Sequence, residues 1–288
     1  MPAATTSRSE LRYRAARKIG DVLVATATAV GTTTTLIDLD HLALQNDYFI
    51  GREVIAISGT AANIVSGTGR IRRVSASAKT TGQVTFSRAL DAATAVGDVY
   101  HMFNYRDNGI LIAEWNGFLD EAIDAVRDTF LIPVVSSAIT FNRASPVITL
   151  SNASLGGSFS DGTLWGVSGV DWKDSNSIWR EIKTGDLRVD KPSRTLEIRS
   201  RGRENADSQS IRLRGYKQTS LLTADTSTTA LDPDYLVNFA AARALFSIAR
   251  RLGPDSAAAE REATRWLELS ERRKVACRTR LVSGTVIL

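Results

Sequence analysis

Apolar and polar positions along this chain follow two different periods, and the places where the period changes divide it. From Leu231 to Lys274 the period is helical. Leu236, Phe239, Ala240, Ala244, Leu245, Ile248 and Leu252 recur at three- and four-residue steps, giving one apolar stripe along about five turns. Asp232-Pro233-Asp234 provides the cap and an acidic first turn, and Gly253-Pro254 the stop. Asp255-Ser256 begins a second helix with Ala259, Ala263, Trp266, Leu267 and Leu269 inward and charges elsewhere, and so short a link makes the pair an antiparallel hairpin. Near the N-terminus, Ser7-Arg8-Ser9-Glu10 has capping-box spacing. Leu11, Ala15, Ala16, Ile19, Val22 and Leu23 share one face of the helix that follows, with Arg8, Arg12, Arg14, Arg17 and Lys18 on the others. A further helix over 109–130 turns Leu111, Trp115, Phe118, Leu119, Ala122, Ile123 and Val126 inward and Glu114, Asp120, Glu121, Asp124 and Asp128 outward. This acidic face complements the basic first and last helices, so these faces are expected to meet, within a subunit or between copies.

Between the helices the period falls to two. Residues 32–36, 52–58, 69–78, 82–90 and 97–103 read as strands of a small antiparallel barrel or sandwich. Residues 131–141, 147–150, 163–167, 178–182, 187–189, 195–199 and 210–216 suit a β-sandwich. The expected fold is therefore α+β: a helical bundle of about four helices, at 7–24, 109–130, 232–252 and 255–274, with two inserted antiparallel β modules and an extended C-terminal tail. By segment, 1–24 is an N-terminal helix joining the bundle, 25–107 the first β module, and 108–130 a bundle helix. Residues 131–223 form the second module, 224–276 the helical hairpin, and 277–288 the tail. That tail ends in Gly284-Thr285-Val286-Ile287-Leu288, a β-prone apolar run that must add to a sheet edge or enter a groove.

Composition narrows the function classes. The 288 residues are 43% hydrophobic and 23% charged, an ordinary globular balance. The longest apolar runs are too short to cross a bilayer, and the first nine residues lack the apolar core of a signal peptide, so a soluble protein made in the cytoplasm, with no membrane contact, is expected. The single cysteine, Cys277, excludes an internal disulfide framework and reads as a passive thiol near a helix end. Catalysis has little to draw on. His41 and His101 have no cysteine or nucleophile motif beside them, and the acids of 109–130 have no histidine to share a metal with. Gly59-Thr60 and Ser66-Gly67-Thr68-Gly69 lack the Gly-Lys-Ser/Thr ending of a phosphate loop and read as hairpin turns. No enzyme activity, cofactor or metal is expected. Two features bear on binding. Trp165, Trp172 and Trp179, seven residues apart, fill the core of the sandwich or form an aromatic platform for sugars or bases. Arg199, Arg201, Arg203, Arg212 and Arg214 make the most basic patch, a candidate lumen, partner or nucleic-acid surface in a chain of net charge +5.

The run Ile211-Arg-Leu-Arg-Gly-Tyr216, then Leu222-Thr-Ala-Asp225, Asp232-Pro-Asp-Tyr-Leu-Val237, the Ala-rich 239–252 helix and the Trp266 helix resemble tailed-bacteriophage head-to-tail connector (adaptor) proteins. Gly31-Thr-Thr-Thr-Thr-Leu36, Asp47-Tyr-Phe-Ile-Gly51 and Gly82-Gln-Val-Thr-Phe86 are similar to the β modules of phage virion proteins. The resemblance implies a structural, non-enzymatic virion protein at the head–tail junction, synthesised in the host cytoplasm. It implies a homo-oligomeric ring, typically of twelve copies, beneath the portal protein, with genomic DNA passing nonspecifically through the lumen and a downstream tail or nozzle protein below. The tail residues Arg278, Arg280, Leu281, Val282, Val286, Ile287 and Leu288 are then the portal-docking element. Both β modules are larger than the simplest adaptors carry. Another phage neck, tail or decoration protein, or a carbohydrate- or receptor-binding module using the tryptophans, remains the alternative.

Overall fold

The computed structural model describes residues 5–59, 71–105, 108–142, 144–150, 164–199, 209–277 and 285–287. In chain order, β1 (Thr6–Ser7) leads into α1 (Arg8–Lys18), followed by β2 (Val22–Thr26), β3 (Thr35–Ile37), β4 (Glu53–Ser58), β5 (Ile71–Ala78), β6 (Gln83–Phe86) and β7 (Val99–Phe103). Helix α2 (Ile112–Asp124) precedes β8 (Leu131–Val135), β9 (Ile139–Thr140), β10 (Val147–Thr149), β11 (Leu164–Lys173) and β12 (Trp179–Ile182). Then come β13 (Leu187–Asp190), β14 (Thr195–Ile198), β15 (Ser210–Gln218), β16 (Thr228–Thr229), α3 (Pro233–Leu252), α4 (Ala257–Lys274) and β17 (Val286–Ile287). The chain forms two compact units, Met1–Asp124 with Leu221–Ala276, and Ala125–Ser220 with Cys277–Leu288.

In the first unit, α1 starts where the capping box places it, with the Ser7 hydroxyl accepting the Glu10 N–H at 3.3 Å. It ends at Ile19, short of residue 24, because Gly20 takes φ +70° and turns the chain away. Val22 and Leu23, which fit a helical stripe, instead begin β2. The strands run in the order β2-β7-β4-β5-β6-β3, all antiparallel. The bridge Ala29↔Ile37 joins the chain just after β2 to β3 and closes a six-stranded barrel. Leu36, Phe49, Val54, Val74, Val84, Phe86, Tyr100 and Met102 fill it.

The barrel also fixes the start of α2. The Glu53 carboxylate on β4 accepts the Ile112 N–H, a free donor of the first turn, at 2.6 Å, and Asp21, just before β2, accepts the N–H of Ile110 in the segment leading into the helix at 2.8 Å. Helix α3 is buried on almost every side, from Tyr235 to Ala249, and packs against α1, α2 and α4. Its start is fixed by Asp232, which accepts the Asp234 N–H at 2.8 Å, with Pro233 in the first turn. By contrast α4 buries only Ala263 and Ser270.

This arrangement corrects the expected four-helix bundle with two inserted β modules. Strands dominate the molecule, forming four sheets among the described residues. Three helices pack together around α3, and the last contributes almost no buried stripe. The physical reason is that an apolar stripe specifies burial and not the partner that buries it. Tyr13 of α1, which lies off the predicted apolar stripe, stacks on His101 of β7 at 4.7 Å, so α1 packs on the barrel as well as on helices.

The second unit is a sandwich of two antiparallel sheets. One has the order β12-β11-β15-β8, with β9 pairing β15 and β17 pairing β11; the other is β10-β14-β13. Phe141, Ile148, Leu150, Val170, Ile182, Leu196, Ile198, Ile211 and Leu213 form the layer between them, with Trp172, Leu187 and Val189 at its margin. The segment expected as one strand over 131–141 is broken into β8 and β9.

Candidate interaction surfaces

Arg8 and Arg12, expected on the polar faces of α1, are buried. Arg12 donates to both carboxylate oxygens of Asp225, at 2.8 and 3.0 Å, and to the Asn116 side-chain oxygen at 3.0 Å; its guanidinium lies 5.4 Å over the Phe103 ring. Arg8 sits 3.5 Å from the same carboxylate and donates to the Leu222 carbonyl. Burial pushes the Asp225 carboxyl up, but the hydrogen bond and charge of Arg12, with Arg8 behind it, hold it below the usual carboxylate range. This is a seam that fastens α1 to the chain before α3, with Asp225 itself partly exposed.

The histidines are equally structural. His101 is pushed down to about 4 by burial, aided by the Arg12 charge and opposed by Glu10. His41 Nδ1 lies 3.0 Å from Asp38, a buried acid that also accepts the Tyr100 hydroxyl at 2.7 Å and the Asp40 and His41 N–H groups. Burial and that hydrogen bond raise the Tyr100 hydroxyl strongly. The cluster ties a loop to the barrel wall, and among the described residues no serine, threonine or cysteine is hydrogen-bonded to His41. Among the described residues no group of three or more His, Cys, Asp or Glu is placed to hold a metal.

A groove of about 460 Å³ runs beside α1, lined by Glu10, Tyr13, Arg14, Arg17, Lys18, Asp234 and Val237. Lys18 stands over the Trp266 ring at 4.4 Å and donates to the Asn238 side-chain oxygen. Burial lowers its ammonium, Asp234 opposing and Arg273 adding to the shift. Arg14 is occupied by Glu10 at 2.7 Å, and Arg17 by the Tyr13 hydroxyl at 3.2 Å. The groove is a mosaic of satisfied charges.

In the sandwich, Arg212 and Arg214 lie on the outer face of the larger sheet, and both are paired. The buried Asp171 carboxylate takes Arg212 at 3.0 Å and Arg214 at 3.1 Å, and Arg214 also donates to Glu181 at 2.6 Å. Arg212 covers the Trp179 ring at 4.4 Å. Arg199 is exposed, while Arg201 and Arg203 lie outside the described residues. The described part of the patch is thus an ionic ladder whose charge is largely met internally. Trp172 packs at the margin of the core, whereas Trp179 pairs with Lys173 in register and points to the opposite face. These two rings share no platform; the Trp165 side chain lies outside the described residues.

The tail reaches its own chain. Val286 and Ile287 pair antiparallel with Val167 and Gly166 of β11. Arg278, Arg280, Leu281, Val282 and Leu288 lie outside the described residues.

The acids of α2 meet basic residues within the unit, chiefly those of α3. Glu121 accepts from Arg243 Nε at 3.0 Å, and Glu114 pairs with Arg251. Asp120 accepts the Leu222 N–H at 3.2 Å; burial raises its carboxyl, against that hydrogen bond and Arg8 and with Asp124. The acidic face is therefore used within the chain, and α4, which carries five basic and four acidic residues, receives none of it. Arg261, Arg265 and Arg272 are all exposed on α4 and enter no ion pair among the described residues. In the sequence they are part of the charges around the apolar positions of this helix; what separates them is their angular position. No family model matches the chain, and no curated protein matches it significantly.

Proposed function

We propose that the chain is a structural, non-enzymatic virion protein of the phage head–tail junction, an adaptor that assembles as a ring beneath the portal and passes the genome through its lumen. The observation that carries this reading is α4, an eighteen-residue helix that lies along α3 and buries only two residues. Its support in the sequence is the run of phrases from Ile211 to Trp266 that resembles connector proteins. Imaging of assembled particles tests it: a ring of about twelve copies at the portal vertex is expected. A chain that stays monomeric at high concentration and is absent from that vertex overturns it.

In this reading the 278–288 tail docks on the portal, which requires Val286 and Ile287 to leave their two described pairings with β11. A Val167→Cys/Val286→Cys disulfide in a Cys277→Ser background, at residues opposite each other in that ladder, locks the tail to its own chain. The oxidised lock is expected to stop co-sedimentation with portal rings and reduction to restore it; binding that ignores the lock removes the docking role.

A second reading, another neck or tail protein, is favoured by the second unit, whose described residues form two sheets and no α-helix. A ring away from the portal in the same images selects it.

A further inference from the structure

We infer that the outer pole of α4 is a sequence-independent contact for the phosphate backbone of duplex DNA, made by Arg261, Arg265 and Arg272. The inference deepens the junction reading by assigning its DNA-facing surface, but it stands on the charge geometry of this helix alone. At 100° per residue the three arginines fall within an arc of about 40°, directly opposite the buried Ala263 and Ser270. Their Cα atoms are spaced about 6 and 10 Å along the axis, so each side chain can reach a different phosphate. Four acids share α4, and among the described residues none forms an ion pair with these arginines: Glu260 accepts the Ser256 hydroxyl at 2.7 Å and Glu262 the Trp266 indole N–H at 3.4 Å. Glu271 pairs with Lys274 at 3.6 Å, Asp234 with Arg273 at 3.4 Å, and the α2 acids Glu114 and Glu121 with Arg251 and Arg243. Glu268 is the one acid on the same pole.

A protein partner would need something to pack against. On α4 the arc holds Arg261, Arg265, Glu268 and Arg272, with Ala258 and the half-buried Leu269 beside it, so it offers little apolar surface, whereas stable protein interfaces have an apolar core. A row of guanidinium groups without an apolar anchor suits a wet, electrostatic, salt-sensitive contact, which is how duplex DNA is held without reading its sequence.

The test is fluorescence anisotropy of the full chain with a labelled random-sequence duplex, titrated at several potassium chloride concentrations. Three phosphate contacts contribute a slope of about −2.7 in log K against log salt, or a loss of roughly 500-fold between 20 and 200 mM. The Arg261→Ala/Arg265→Ala/Arg272→Ala variant, with thermal unfolding as its folding control, is expected to lose about that much slope, and Glu268→Gln to bind more tightly than wild type. Arg212→Ala/Arg214→Ala is expected to leave the slope unchanged. Absence of binding by wild type at 20 mM salt overturns the inference. So does a triple variant that keeps the wild-type slope, or one that loses self-association in sedimentation while still binding DNA, which would make the pole a protein contact. A wild-type monomer that binds DNA through these arginines upholds this inference while counting against the ring.

Discussion

Asp225 holds two buried arginines, and the asymmetry of that arrangement sets what each substitution costs. Asp225→Asn leaves Arg8 and Arg12 side by side without their counter-charge, whereas Arg12→Met leaves Asp225 still facing Arg8. Breaking a buried pair from the side that strands its charges costs about 3 kcal/mol or more, so Asp225→Asn should lower urea stability at pH 7 more than Arg12→Met does. Equal losses would show that packing rather than charge dominates the seam. His101 adds a pH dependence. Its folded-state value of about 4 lies below the ordinary 6.5, so above 6.5 neither state is protonated and the residue contributes nothing. Between about 6.5 and 4 the unfolded chain takes the proton and the folded one does not, and stability falls; below 4 the loss is complete. His101→Phe keeps a ring against Tyr13 and should flatten the melting temperature over that window, leaving the further loss below it that follows as Asp225 is protonated. None of this was legible in the chain. Arg8 and Arg12 sit where a helical wheel puts solvated charges, and their partner lies more than two hundred residues away.

At the scale of the element, local signals carried well and their destinations did not. Alternation marked 52–58 and 97–103, where β4 and β7 lie, and the cap-and-stop signals of 232–252 frame α3 to within a residue. Strand β2 was hidden because Val22 and Leu23 continue the stripe of α1, and the turn at Gly20 that ends the helix outweighs that periodicity. The acidic face of α2 was expected to meet the first or last helix. It meets Arg243 and Arg251 of α3, which lie on the flanks of a helix read only for its apolar stripe. The β5–β6 turn gives an element-scale test. Gly82 has φ +55°, and a Cβ there would lie 2.5 Å from the Asp38 carbonyl oxygen, an atom of the loop that follows β3. The Gly82 carbonyl in turn accepts the Asp38 N–H at 2.8 Å. Gly82→Ala therefore combines a strained backbone with a backbone clash, and a loss of about 2 kcal/mol in chemical denaturation is expected. A neutral result would mean the two segments separate freely and that the barrel does not depend on this contact.

For the molecule as a whole, the expectation of one helical core with β inserts failed because a period cannot say how many cores a chain builds. Leu36, Val84 and Met102 gather in the barrel, while Leu196, Ile211 and Leu213 gather in the sandwich. The chain crosses from the first unit to the second near 124 and returns near 220, so the sandwich interrupts the other unit in sequence without sharing its core. Two cores of this kind imply two cooperative steps on heating. Scanning calorimetry of the intact chain should resolve them, and substitutions assign them. Leu196→Ala, at a fully buried position of the sandwich, should cost 2–5 kcal/mol and move only the sandwich transition. Asp225→Asn should move only the other. If both substitutions displace one common transition by similar amounts, the units melt as a single cooperative body, and the interruption of one by the other is a matter of sequence order without energetic meaning.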